Sequence, residues 1–451
     1  MDPSTLAAQL RNRSRSMGLK LLLVSGLALV MMVPAIFVSN LVDDRSSRAQ
    51  SVIQEIGGRA GGQQTFLGPT LVIPYTVSPA YKGISTGPGV YLIFPAKGDA
   101  AISVRTQERH RSLFKVPVYE TELKFDAAFD LTGVPSAAPA GTELDWTRAA
   151  ILVGASDARG ALADGTLTAN GKTVTFIPAE NSANQNPRLP LAYFGAKVPE
   201  LIQPNATFNV TATLRFSGAE RLALLAYGKS THFTAEGDWP SPGFDGGFLP
   251  VKRTVTAQGF TAEWSVPFMA RGIPAEGTLT SVSNLDQSAM GISFIEMADP
   301  YQSVSRSVKY ALLFIGLLFL TYFVFELTAG KRVHPAQYVL VGMAHLIFYL
   351  LLLSLAERMG FNLGFLLAGS ATVILLSANA AWIFASRVQG LRALAVFTLL
   401  YFFIYLLLRL EDNALLVGAV ASFLAVTAVM YFTRNIDWYS SIAPGESAPS
   451  S

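Results

Sequence analysis

The chain has 451 residues, 51% of them hydrophobic and only 14% charged, with a net charge of +3 and no cysteine. A charged share well below the usual ~25% fits an integral membrane protein, and the small net charge without a basic tract argues against a nucleic-acid partner. The absence of cysteine excludes structural disulfides, thiolate catalysis and Cys-ligated zinc or iron–sulfur sites within the chain.

Residues 1–20 are polar and basic, with Arg11, Arg13, Arg15 and Lys20 ahead of the first apolar run, 21–42. A cleaved signal peptide has an apolar region of about 7–15 residues ending at a small-residue cleavage site. This run is longer and leads into VDDRSSRAQ without such a site, so it is expected to remain as a transmembrane anchor. The upstream arginines predict a cytoplasmic start under the positive-inside rule.

Residues 43–305 are expected to lie outside the cytoplasm as a large all-β, β-sandwich-like domain, inserted between the first and second spans. No run here is long and apolar enough to cross a bilayer, and segments such as PTLVIPYTV, VPVYETELKFDAAFDL and ATFNVTATLRFSG alternate and are rich in β-branched residues. About ten strands are predicted, as one sandwich or as two smaller β units with 113–130 as the candidate divide. Asn170-Gly171 supplies the positive-φ pair of a hairpin turn. Residues 47–56 carry Val52, Ile53 and Ile56 at helical spacing, which predicts a juxtamembrane helix.

A membrane-crossing hairpin follows. Two apolar runs of about 18 residues each, 310–327 and 338–355, are long enough to span a hydrocarbon core. Glu326, Lys331, Arg332 and His334 crowd the turn between them, and Pro335 suits the first turn of the second helix. Further runs at 361–385, 391–408 and 413–432 complete a five-helix bundle over 306–432, so the whole chain has about six spans. Lys331, Arg332, Arg387, Arg392 and Arg434 then fall on the inner side, and the tail 433–451 returns to the cytoplasm.

Polar residues inside a span merit a functional hypothesis, because each costs free energy unless paired. His345, near the middle of the third span, and Asn379, in the fourth, are the candidates. A proton relay needs acids at intermediate depth. Glu326, Glu357, Glu411 and Asp412 are instead expected at span ends within reach of water, so His345 reads as a neutral histidine bonded across helices. The small-residue stripes Gly360, Gly364, Ala368, Thr372 and Ala414, Gly418, Ser422 read as helix-packing surfaces.

In the β region, GGRAGG and STGPG lack the lysine and the strand–helix setting of a phosphate loop. His110 and His232 have no metal-ligand spacing, and no Ser–His–Asp arrangement stands out. No catalytic residue, cofactor or metal is expected. Glu120, Glu122, Lys124 and Asp126 read as a solvated sheet face. In WPSPGFDGGFLP, Trp239, Phe244 and Phe248 sit among prolines and glycines. They are candidate contact residues of a stiff exposed loop for a partner or a membrane surface, or else they plug the end of the sandwich.

Together these stretches resemble the CreD family of bacterial inner-membrane, cell-envelope integrity proteins. The resemblance runs through GPTLVIPY, VPVYETEL, SDARG, WPSPGFDGGFLP, ADPYQSVSRSVKYALLF, RVHPAQYVLVG, FYLLLLSLAE, EDNALL and TRNIDWY, covering nearly the whole chain. His345 departs from the aliphatic residue expected there, and Ser241 and Gly243 stand where His and Ser are expected. The resemblance implies a multi-pass protein of a Gram-negative inner membrane, expression under a two-component response, and a link to envelope stress and the β-lactam response. It implies no reaction. The leading expectation is a non-enzymatic protein whose partners are the lipid bilayer and an envelope protein, lipid or wall component. The alternative is a membrane enzyme or carrier acting on lipid-linked or cell-wall precursors.

Overall fold

The structure, a computed structural model, describes residues 17–77, 89–111, 114–134, 138, 141–179, 191–279, 281–282, 284–294, 300–329 and 331–409, with scattered positions between 418 and 434. The chain divides into two compact units, residues 49–297 and residues 1–48 with 298–451.

The first unit is β-rich. Its strands are β1 (Gln64–Val77), β2 (Gly89–Ile93), β3 (Lys97–Arg111), β4 (Phe114–Asp130), β5 (Thr142–Leu144), β6 (Ala150–Ala155), β7 (Thr166–Ala169), β8 (Lys172–Thr175) and β9 (Ile177–Pro178). They continue with β10 (Ala192–Ala196), β11 (Thr207–Ala219), β12 (Arg221–Leu225), β13 (Ser230–Gly237), β14 (Pro242–Gly246), β15 (Lys252–Thr256), β16 (Gly259–Val266), β17 (Glu276–Thr278) and β18 (Ala289–Phe294). Among the described residues they form two sheets. One has ten strands, built on the path β14-β18-β12-β1-β6-β10-β9, and the other has eight, in the order β15-β16-β13-β3-β4-β11-β7-β8.

Alternation builds the core. On β4, Thr121, Leu123, Phe125, Ala127 and Phe129 are buried while Glu120, Glu122, Lys124 and Asp126 face out, as a period of two requires of a half-buried strand. One buried cluster unites the inner faces of both sheets, from Phe66, Leu71 and Ile151 to Phe125, Phe233 and Trp264. The β region is therefore one sandwich. The candidate divide at 113–130 is instead an internal strand, paired with β3 on one side and β11 on the other.

Tyr227 pins the two sheets together. It is fully buried, and its hydroxyl donates to the carbonyls of Asp99 on β3 (2.7 Å) and Asp126 on β4 (3.2 Å). A Cβ at Gly68 on β1 or at Gly98 on β3 would come within 2.6 or 2.7 Å of its ring. Glycine is needed at both places to admit the ring. Pro69, which has no N–H to give, falls where the β1–β6 register shifts between Leu67 and Thr70. Asn170 (φ 48°) and Gly171 (φ 76°) turn β7 into β8, as the hairpin expectation has it.

Helix α1 (Met17–Val30), in the other unit, starts ahead of the apolar run, and α2 (Met32–Arg59) continues far past it, through the expected helix at 47–56, its residues 49–59 belonging to the first unit. The break at Met31 follows from Pro34, whose ring clashes with the carbonyl four residues earlier. After a short helix in the β domain, α3 (Phe268–Arg271), come α4 (Pro300–Lys309), α5 (Ala311–Ala329), α6 (Pro335–Met359), α7 (Phe361–Phe384) and α8 (Arg387–Arg409). His334 caps α6, accepting from the Ala336 N–H at 3.2 Å, with Pro335 in the first turn. Among the described residues five helices are long and apolar enough to cross a membrane. The expected sixth span, 413–432, lies largely outside the described residues, as does most of its small-residue stripe. The other stripe does pack: Ala368 is fully buried, and a Cβ on Gly364 would meet the Ala356 backbone nitrogen at 2.8 Å.

Candidate functional site

Several polar groups of the bundle are tied to neighbouring side chains. His345 on α6 is fully buried; its Nδ1 lies 2.8 Å from the Tyr401 hydroxyl on α8 and its Nε2 3.0 Å from that of Tyr349. A neutral imidazole has one donor and one acceptor, and two tyrosine hydroxyls satisfy both. Asn379 on α7 donates to the Tyr322 hydroxyl at 3.2 Å, which in turn donates to the Leu376 carbonyl at 2.8 Å. Glu326 corrects the expectation that it sits in reach of water. It is 2% exposed, bonded to Lys20 of α1 and, at 3.1 Å, to the Tyr338 hydroxyl. Lys20 also donates to the Val333 carbonyl at 2.9 Å. The lysine that reads as a membrane flank in the sequence is thus an internal fastener between the first helix and the α5–α6 hairpin.

Of the WPSPGFDGGFLP aromatics, Trp239 is buried and Phe244 and Phe248 are half-buried against the sandwich core. Trp239 is 8% exposed, meets Phe294 edge-on at 6.3 Å and donates to the Ser241 carbonyl at 3.1 Å. Phe244, half-buried on β14, packs edge-on against Phe260 (6.0 Å) and Trp264 (5.8 Å). Phe248 packs on the same core, and its carbonyl accepts from the Trp264 indole at 3.1 Å. The prolines and glycines hold these rings inward because β14 pairs with β18 in the ten-stranded sheet. Nearby, Asp245 takes a two-nitrogen hydrogen bond from Arg221 (2.8 and 2.6 Å) and one from Ser293. Burial alone raises its pKa, but these bonds outweigh it and hold the carboxyl below its ordinary range.

Arg271, at the end of α3, is 4% exposed with its guanidinium 3.9 Å from the centre of the Phe94 ring. Among the described residues its three side-chain nitrogens have no hydrogen-bond partner. Desolvation lowers its pKa to about 10.

The outward face of the eight-stranded sheet holds a trough of about 590 Å³. Its floor and walls follow from register. Across five strands from β15 to β4, Thr254, Thr261, Glu236, Ser103 and Glu122 fall in one row. Two residues along, Lys252, Glu263, Thr234, Ala101 and Lys124 form the next row. The inner strand β3 presents Ala101 and Ser103, which are short, whereas β13 and β16 carry Glu236 and Glu263 and β4 and β15 raise lysines at the sides. Lys252 bonds Glu263 at 3.2 Å, and His232 stands 3.8 Å from the same carboxylate. Lys124 lies a loose 3.6 Å from Asp126. Glu120, Glu122, Lys124 and Asp126 are solvated as expected, but Glu122 and Lys124 also wall a concavity.

The remaining candidates gather no chemistry. His110 lies on β3 with its side chain outside the described residues. Among the described residues no group of His, Asp or Glu is arranged to hold a metal ion. Of the STGPG stretch only Gly89, the first residue of β2, is described.

Comparison with known proteins is decisive about kinship. The family described as "Inner membrane protein CreD" matches residues 16–439. The chain belongs to the CreD family. It is 28% identical over 429 residues to the Inner membrane protein CreD of Escherichia coli (strain K12), covering 93% of each chain. It is accordingly a multi-pass protein of the inner membrane. Several blocks that carry the CreD resemblance prove to be fasteners: GPTLVIPY holds Gly68 under Tyr227, RVHPAQY holds the cap of α6, and in SDARG Asp157 accepts from the backbone and side chain of Arg159. The trough draws its residues from positions 101 to 263, and no contiguous motif announces it.

Proposed function

We propose that this CreD-family protein supports envelope integrity and the envelope-stress or β-lactam response without catalysing a reaction. The helical bundle anchors it with both termini in the cytoplasm, and the β domain lies in the periplasm and binds an envelope component. The basic N-terminus and the inner-side lysines and arginines support this orientation. The trough carries the reading. It is an open, polar-lined concavity of the β domain, whereas His345, Asn379 and Glu326 inside the bundle are bonded to neighbouring side chains.

The test is complementation of a strain lacking the gene, under β-lactam or envelope stress. Full-length Glu122→Gln/Glu236→Gln and Lys124→Met/Lys252→Met variants are expected to accumulate normally and fail to complement. Full complementation by both would overturn the binding role of this face. Loss of function in His345→Leu at normal protein level would favour an enzyme or carrier instead. For the orientation, reporters active only in the periplasm should work after Gly171 and fail after Ser451.

A further inference from the structure

The trough is electrically polarised along its length. Glu122 and Glu236 flank Ser103 in one row, each one strand away from it. Their strands are two spacings apart, so the two carboxylates straddle a gap of about 10 Å at the backbone. Neither is in a salt bridge among the described residues, and neither is covered, since both side chains are exposed. Two residues along the strands, about 7 Å away, Ala101 replaces Ser103 on the floor and Lys124 replaces Glu122 on the wall. Lys124 is 58% exposed and, among the described residues, held only by the loose contact with Asp126, so its ammonium can swing inward. A cation is therefore favoured over Ser103, and an anion over Ala101 one two-residue step away.

We infer that the trough binds a short zwitterionic peptide laid along β3, its ammonium between Glu122 and Glu236 over Ser103 and its carboxylate beside Lys124 over Ala101. An extended dipeptide places its two charged ends about 7 Å apart, because a strand advances about 3.3–3.4 Å per residue. It therefore matches the step between the rows. A single amino acid is too short to satisfy both rows at once. The trough's volume exceeds that of a dipeptide, so side chains beyond the two backbones have room. The floor carries no aromatic side chain, which disfavours stacking of a sugar ring or a nucleobase. This assignment rests on the reading that the outward face of the sheet is the binding surface.

The experiment is calorimetric titration of the full chain in detergent micelles with four probes: alanylalanine, its N-acetylated form, its C-terminal amide, and glycerophosphoethanolamine. Saturable binding of alanylalanine is expected, about tenfold tighter than either capped form. Glu122→Gln/Glu236→Gln should erase the preference over the acetylated peptide while keeping the preference over the amide. Lys124→Met should do the reverse. Equal binding of free and capped peptides, or no saturable binding of alanylalanine, overturns the inference. Tighter binding of glycerophosphoethanolamine also overturns it and assigns the zwitterion to a lipid headgroup. Complementation by the same variants separates the two levels. Trough variants that fail to complement, with no peptide bound by the wild type, leave the binding face standing without this ligand. Variants that complement fully remove both.

Discussion

In the bundle, His345, Glu326 and Asn379 lie among apolar helices, and each is joined to named neighbours: Tyr349 and Tyr401, Lys20 and Tyr338, and Tyr322. In the β domain charged residues such as Glu120, Glu122 and Lys124 of β4 and Glu236 of β13 point outward, while the inner faces are aromatic and aliphatic. The difference comes from the solvent each unit must satisfy. A helix in hydrocarbon has no water to turn a polar group towards, so such groups pair internally or are absent. A sheet with one wet face has a place for every other residue, and charges there remain free to meet a ligand. Arg271 is an exception on the β side, buried on Phe94 without a hydrogen-bond partner among the described residues.

The contrast should break most sharply when the buried ion pair is unpaired. Lys20→Met strands the Glu326 carboxyl in the bundle and is expected to cost about 3–5 kcal/mol, read by denaturant unfolding in micelles. Adding Glu326→Leu should recover most of that loss. No difference between the single and double variants would mean that the pair is not coupled.

Of similar size in the other unit, Trp239→Ala opens a cavity against Phe294 and should destabilise the β domain by about 3–5 kcal/mol. The measurement is the melting transition of the full chain followed by near-ultraviolet circular dichroism. An unchanged transition with lost complementation would return the loop to the surface and restore it as a contact site.

His345→Leu should be milder. It leaves two buried tyrosine hydroxyls to find other partners, at about 1–3 kcal/mol, and the protein should still insert and complement. Combining it with Tyr349→Phe and Tyr401→Phe should regain stability, since no polar group is then stranded. If the triple variant is no more stable than the single one, the three residues do not act as a set.

The smallest effect concerns acid. The folded pKa of Asp245 is below 3.8, its ordinary value, so the unfolded chain binds the proton more tightly. The stabilisation is present above pH ~4 and is lost as pH falls through the folded value. Because the pair with Arg221 is partly exposed, it contributes under about 1 kcal/mol. Asp245→Asn should flatten the acid limb of a melting-temperature profile, and an unchanged limb would assign the acid sensitivity to other carboxylates.

The two materials of this protein are legible in its sequence, because both rest on short-range pattern. Runs of about 18 apolar residues mark helices that can span hydrocarbon, and alternation marks strands with one wet face. Asn170-Gly171 and Pro335 can be read for the same reason, each acting within its own turn. Which distant positions meet is a matter of packing. Lys20 and Glu326 lie 306 residues apart; each alone looks like a residue at a span end, and only the docking of α1 on the α5–α6 hairpin makes them a pair. Trp239, Phe244 and Phe248 look equally able to face out or in, because a stiff loop has no period from which to read its buried side. The strand pairing of β14 with β18 turns them inward. The trough is the furthest from legibility. Its charges alternate plainly along β4, but the facing of Glu122 by Ser103 and Glu236 depends on the register of three strands. Register is fixed by how the two sheets bury their inner faces against each other.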